Sequence, residues 1–131
     1  MTRESLDVGR IATAGAPAAI GPYCQATAFG ELLFCSGQIP LDPRSATLIE
    51  GDIGQMTRRC LENLQAVCGA AGTTLDRALR LTIYLRDLGQ FKDVNEAYAG
   101  FFTDAVPART TVEVSSLPMG AEVEIDAIVA L

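Results

Sequence analysis

The residues of this chain best suited to chemistry crowd its C-terminal quarter. Arg109 lies in Pro107-Ala108-Arg109-Thr110-Thr111-Val112-Glu113-Val114, and Glu122-Val123-Glu124-Ile125-Asp126 follows shortly after. A guanidinium offers a rigid fork of donors that takes a carboxylate two-on-two. A nearby carboxylate can orient a water and accept its proton. Period-two alternation puts Arg109, Thr111 and Glu113 on one face of a strand, and Glu122, Glu124 and Asp126 on one face of another. With Leu117-Pro118-Met119-Gly120 as the turn, the stretch reads as a strand pair carrying these groups on one side of a sheet. Pattern alone allows two readings: an anion-binding, water-activating site, or a solvated and salt-bridged outer face.

Composition removes competing chemistries. The 131 residues include no His and no Trp. Zinc deaminase signatures, His-based metal sites, Ser-His-Asp triads and Cys-His pairs are therefore all excluded. Cys24, Cys35, Cys60 and Cys68 form no C-x-x-C; their irregular spacing, two of them on an apolar helix stripe, reads as buried free thiols in a reducing compartment. A net charge of −6 without a basic run argues against a protein that tracks nucleic-acid phosphates. Arg3, Glu4, Asp7 and Arg10 precede any apolar run, unlike a signal peptide, and no stretch approaches the ~20 apolar residues of a membrane span. A soluble, cytoplasmic protein is expected. Apolar residues make up 49% of the chain, enough for the core of one domain spanning residues 1–131.

The elements that must position these residues follow from periodicity. Residues 1–7 are polar and read as a loosely ordered terminus. Val8 to Thr13 suits a short edge strand. Two Gly and two Pro punctuate a loop over 14–23 that ends at Tyr23. Cys24–Phe29 and Glu31–Ser36 around Gly30 read as a hairpin. Asp52 and Gln55 resemble a capping box opening a helix whose stripe is Ile53, Met56, Cys60, Leu64, Val67 and Ala71, with Gly72 as its stop. Leu79, Leu81, Ile83 and Leu85 alternate with Arg80, Thr82, Tyr84 and Arg86 in the clearest strand. A second helix is expected from about Gln90 to Thr103, with Phe91, Val94, Tyr98 and Phe101 on its stripe. The sum is an α+β two-layer domain: a mixed sheet of about six strands with two helices on one face. The opposite face has no third layer to cover it. It is left either to solvent or to the same face of neighbouring copies.

Four stretches carry a resemblance to a known family: Ala16-Pro17-Ala18-Ala19-Ile20-Gly21-Pro22-Tyr23, Ser36-Gly37-Gln38-Ile39-Pro40, Val94-Asn95-Glu96-Ala97-Tyr98 with Phe101-Phe102, and Pro107-Ala108-Arg109-Thr110 with Val112-Glu113-Val114. Glu124-Ile125-Asp126-Ala127 fits as well. Collinear over nearly the whole chain, they resemble the Rid (YjgF-like) reactive-intermediate deaminases, RidA branch. The resemblance implies a chorismate-mutase-like fold and a barrel-centred homotrimer with sites between subunits. It implies hydrolysis of 2-enamino and 2-imino acids, such as 2-aminoacrylate and 2-iminopropanoate, to 2-keto acids and ammonia, with no metal or organic cofactor.

Residue by residue, the resemblance implies that Arg109 holds the substrate carboxylate, Glu124 orients water and Tyr23 lines the site. It implies that Ser36 and Gly37 face the cleft and that Asn95 stands near it. Thr111 occupies a position where many RidA members carry Cys; backbone contacts survive that change and thiol chemistry does not. The loop before Pro107 is also shorter than in many members, which bears on substrate size. Two other functions compete: a ribonuclease or translation inhibitor, a label some relatives bear, and a non-catalytic module that binds small carboxylates.

Overall fold

The computed structural model describes residues 7–131. Apart from Asp7, the expectation for residues 1–7 lies outside the described residues. Strands are β1 (Gly9–Ile11), β2 (Ala26–Phe29), β3 (Leu32–Gln38), β4 (Ala78–Leu85), β5 (Ala108–Glu113) and β6 (Val123–Ala130); helices are α1 (Ile53–Ala70) and α2 (Phe91–Ala99). The strands form one six-stranded sheet in the order β1-β2-β3-β6-β4-β5. It is mixed, because β4 and β5 run parallel while the other pairs are antiparallel. The expected α+β class, six strands and two helices are all present.

Local signals explain α1. The Asp52 carboxylate accepts from Gln55 N–H at 2.8 Å, and the Gln55 side chain accepts from Asp52 N–H at 2.9 Å, closing both halves of the capping box. At the other end Gly72 takes φ +82°, and Thr73 N–H donates to the Cys68 carbonyl at 3.0 Å, so the helix stops where glycine permits the left-handed turn. Ile53, Cys60, Leu64 and Val67 are buried on the predicted stripe. They pack with Val94 and Tyr98 of α2 over Leu33, Leu81, Ile83, Val123, Ile125 and Val129 of the sheet. Each fully buried aliphatic side chain of this kind stabilises the fold by about 1.5–3 kcal/mol. Cys24, Cys35, Cys60 and Cys68 are all free thiols, three of them buried.

The structure corrects three expectations. Helix α2 ends at Ala99 rather than Thr103: Gly100 caps it, and the chain turns so that Phe102 packs on Tyr98 with ring centres 4.7 Å apart. Leu79 does not join the apolar face with Leu81, Ile83 and Leu85. The pairing of β4 with β6 shifts register between Ala78 and Arg80, and this bulge leaves Leu79 exposed.

The largest correction concerns the C-terminal strand pair. β5 and β6 are not partners, because β4 lies between them. After β4 the chain crosses over through α2, which is the length of connection a parallel neighbour needs, and returns as β5 on the outer edge of β4. Residues 114–122, with a single 3-10 turn at Pro118–Gly120, then pass the end of β4 to reach β6 on its other side.

Candidate active site

Register decides which face each candidate occupies. Arg109 pairs with Leu81 and Thr111 with Ile83, both core residues, so Arg109 and Thr111 project to the helix side. Glu124 pairs with Tyr84 and Asp126 with Thr82, so these project to the open side. Arg109 and Glu124 therefore stand on opposite faces, two strands apart. The expectation that one face carries Arg109, Thr111 and Glu113 together with Glu122, Glu124 and Asp126 fails for this reason: side-chain period places residues within a strand, whereas pairing relates one strand to the next. The candidates fall into two clusters.

The first surrounds Glu124. It is a cavity of about 460 Å3 lined on its polar side by Tyr23, Ser36, Gly37 and Glu124, and on its apolar side by Ile20, Ile39 and Leu41. A bulge in β3 shapes it: Cys35 pairs with Ala127 and Gln38 with Ile125, so Ser36 and Gly37 together face one residue of β6. Ser36 Oγ donates to the Cys24 carbonyl at 2.7 Å, which ties the bulge to the loop leading into β2. Gly37 leaves space that Glu124 fills; a Cβ built there overlaps the carboxylate, lying 2.9 Å from its Cδ. Burial lifts the Glu124 carboxyl above its ordinary value of 4.5, and the neighbouring Asp126 charge adds to the rise. Among the described residues the one ion pair is Arg59–Glu62, so no cation compensates Glu124 within 4.0 Å. Tyr23 is about half exposed, and its hydroxyl oxygen accepts from Ile20 N–H at 3.2 Å, leaving its own proton to donate.

The second cluster surrounds Arg109. Its Nη2 donates to Asn95 Oδ1 of α2 at 2.7 Å. The guanidinium carbon lies 4.8 Å from the Tyr98 ring centre and 5.5 Å from that of Phe91. No carboxylate pairs with it within 4.0 Å among the described residues. A held but uncompensated guanidinium suits an external anion. Thr111 lies two residues along the same face, and its Oγ1 is buried without a hydrogen-bond partner. No group of three or more His, Cys, Asp or Glu among the described residues is placed to hold a metal ion, and no helix there is long and apolar enough to cross a membrane.

Several supporting residues escaped sequence reasoning. Buried Gln25 holds the 13–25 loop closed: its Oε1 accepts from Thr13 N–H at 2.7 Å, and its Nε2 donates to the carbonyls of Thr13 at 3.0 Å and Pro17 at 2.9 Å. Buried Asn63 donates to the Leu41 carbonyl at 3.0 Å and so anchors the apolar wall of the cavity to α1. An Asn beside an apolar helix stripe was the available signal; a Gln at the head of a strand gives none. Tyr84 donates to Asp126 Oδ2 at 3.1 Å on the open face. Burial first, and this hydrogen bond second, push its phenol up.

Comparison with known proteins agrees with this architecture. The chain is 47% identical over 121 residues to a RutC family protein of Sinorhizobium fredii, covering 92% of this chain and 96% of that one. It is 43% identical over 121 residues to a 2-iminobutanoate/2-iminopropanoate deaminase of Salmonella typhimurium, covering 90% and 94%. A crystal structure of a Rid-family protein of unknown function from Yersinia pestis superposes with a TM-score of 0.92 at 45% identity, covering 95% of this chain and 100% of that one. The family model described as Endoribonuclease L-PSP matches residues 13–131, and the chain belongs to that family, which unites the YjgF, RidA and RutC proteins.

Proposed function

We propose that this protein hydrolyses small 2-enamino and 2-imino acids to 2-keto acids and ammonia. The observation that carries the reading is Glu124: a half-buried carboxylate at the wall of a cavity, with no cation paired to it among the described residues, its proton affinity raised by burial. Such a group is a better base for water than an exposed glutamate. The iminium form, R–C(=NH2+)–COO−, is already electrophilic. Water adds to its carbon as Glu124 takes a proton, and the resulting carbinolamine loses ammonia after proton return to nitrogen. The balance is iminium acid plus water giving keto acid plus ammonium. Tyr23 and the backbone at Ser36 and Gly37 line the path of that water. Arg109, steadied by Asn95, holds the substrate carboxylate, and Thr111 flanks it. The names of the Salmonella typhimurium relative and of a mouse relative 41% identical support the same reaction class.

Because Glu124 and Arg109 point to opposite faces, one chain cannot bring both to one small substrate. The reading therefore requires a second copy to supply Arg109 beside the first copy's Glu124, and a homotrimer supplies three such clefts. The test generates imino acids in situ with an amino-acid oxidase and follows keto-acid release. Wild-type protein accelerates release, and Arg109→Ala and Glu124→Gln each lose most of it. Co-refolding those two inactive chains in equal amounts restores about a quarter of the activity if each site spans two subunits. Full activity in Arg109→Ala, or no acceleration by the wild type, overturns the proposal.

A further inference from the structure

Arg109 has a seat as well as a hydrogen bond. Its guanidinium lies over Tyr98, and Phe91 approaches from about two turns earlier in α2. Tyr98 is 6% exposed and fixed in the core against Phe102. Its hydroxyl is buried and has no hydrogen-bond partner. The hydroxyl therefore does not anchor the ring; packing does. Burial pushes the phenol up and Arg109 opposes the rise, so the group under the cation is a neutral ring and not a phenolate counter-ion.

We propose that Tyr98, assisted by Phe91, is a positioning residue for Arg109: its ring face sets the direction of the guanidinium fork and holds it without a carboxylate that would compete with the ligand. The inference rests on the reading of Arg109 as the carboxylate holder. The physical basis is the attraction of a cation to an aromatic face, which strengthens when the pair is removed from water. A carboxylate neighbour would hold the arginine more tightly, yet it would occupy the fork and repel an incoming anion. An aromatic seat with Asn95 at one nitrogen leaves the remaining donors open.

Four variants, read by 2-oxobutanoate binding, steady-state kinetics and thermal melting, test this. Tyr98→Phe keeps the ring and removes a partnerless hydroxyl, so it is expected to bind 2-oxobutanoate as the wild type does, with an unchanged or higher Tm. Tyr98→Leu removes the ring face and is expected to weaken 2-oxobutanoate binding, and raise KM for imino acids, by about tenfold while kcat changes by less than about threefold. Tyr98→Leu protein that melts lower yet binds the keto acid as the wild type does overturns the inference. So does Tyr98→Phe losing the same tenfold. Should Tyr98→Leu fail to fold, Phe91→Leu decides: at 41% exposure it is tolerated, a rise in KM of about threefold is expected, and an unchanged KM overturns the proposal. Wild-type protein that binds 2-oxobutanoate but hydrolyses no imine removes the proposed activity and leaves Tyr98's role standing. Arg109→Ala that still binds the keto acid removes both.

Discussion

Glu124 and Gly37 act as one unit. Glu124 carries a raised pKa, so its charged form is disfavoured in the fold relative to the unfolded chain. The stability it contributes is present below the unfolded-state value and lost as pH rises through the folded one. Glu124→Gln removes that loss. The variant is expected to melt at or above the wild-type temperature at pH 7, with the difference shrinking towards pH 4, as thermal melts across pH will read. Its kcat is expected to fall by about 10²–10⁴-fold, as for removal of a general base. In the wild type, the acid limb of the rate profile is expected to titrate above the ordinary 4.5. Gly37→Ala tests the close approach. The atoms a Cβ would meet belong to the end of the Glu124 side chain, which can move aside. A stability loss below about 1.5 kcal/mol, read by denaturant melts, is therefore expected alongside a rate loss of at least about tenfold.

Among the elements, the loop over 13–25 stands or falls with Gln25. Its side chain satisfies backbone groups of Thr13 and Pro17 that are otherwise short of partners in a nearly closed environment. Gln25→Ala is expected to destabilise the fold by about 2–4 kcal/mol and to raise KM by freeing Tyr23, measured by urea denaturation and steady-state rates. Much of the fold's outline was legible here. The capping box at Asp52, the α1 stripe and the β4 alternation are local signals whose periods are set by backbone geometry, and the structure has the first two in full and the third from Leu81 onward. The bulges at Ser36–Gly37 and Leu79 were not legible, because a bulge exists only relative to a partner strand. The end of α2 was misplaced because Phe101 and Phe102 continue a helical pattern, while Gly100 and the burial of Phe102 end the helix earlier.

For the whole molecule, the open face of the sheet is the unfinished surface. Leu32, Phe34 and Val112 are exposed there beside Thr82, Tyr84 and Asp126. The homotrimer proposed above would cover it. Light scattering is expected to give three times the monomer mass. Phe34→Glu, which touches neither Arg109 nor Glu124, is expected to dissociate the assembly and to lower activity in parallel, since a buried unpaired charge at an interface costs several kcal/mol. A monomeric variant of full activity would remove the inter-subunit site.

By itself the sequence determined the composition-level exclusions, the α+β class, the family resemblance and the identity of the candidate residues. These depend on which groups are present and on periods of 2 and 3.6 that any strand or helix imposes. Only the tertiary structure decided that β4 separates β5 from β6, that Arg109 faces the helices while Glu124 faces away, and that Tyr98 lies under the guanidinium. Strand order and register arise from long-range pairing and from the crossover through α2. A one-residue change in register would have turned Arg109 to the other face without altering a letter of the sequence.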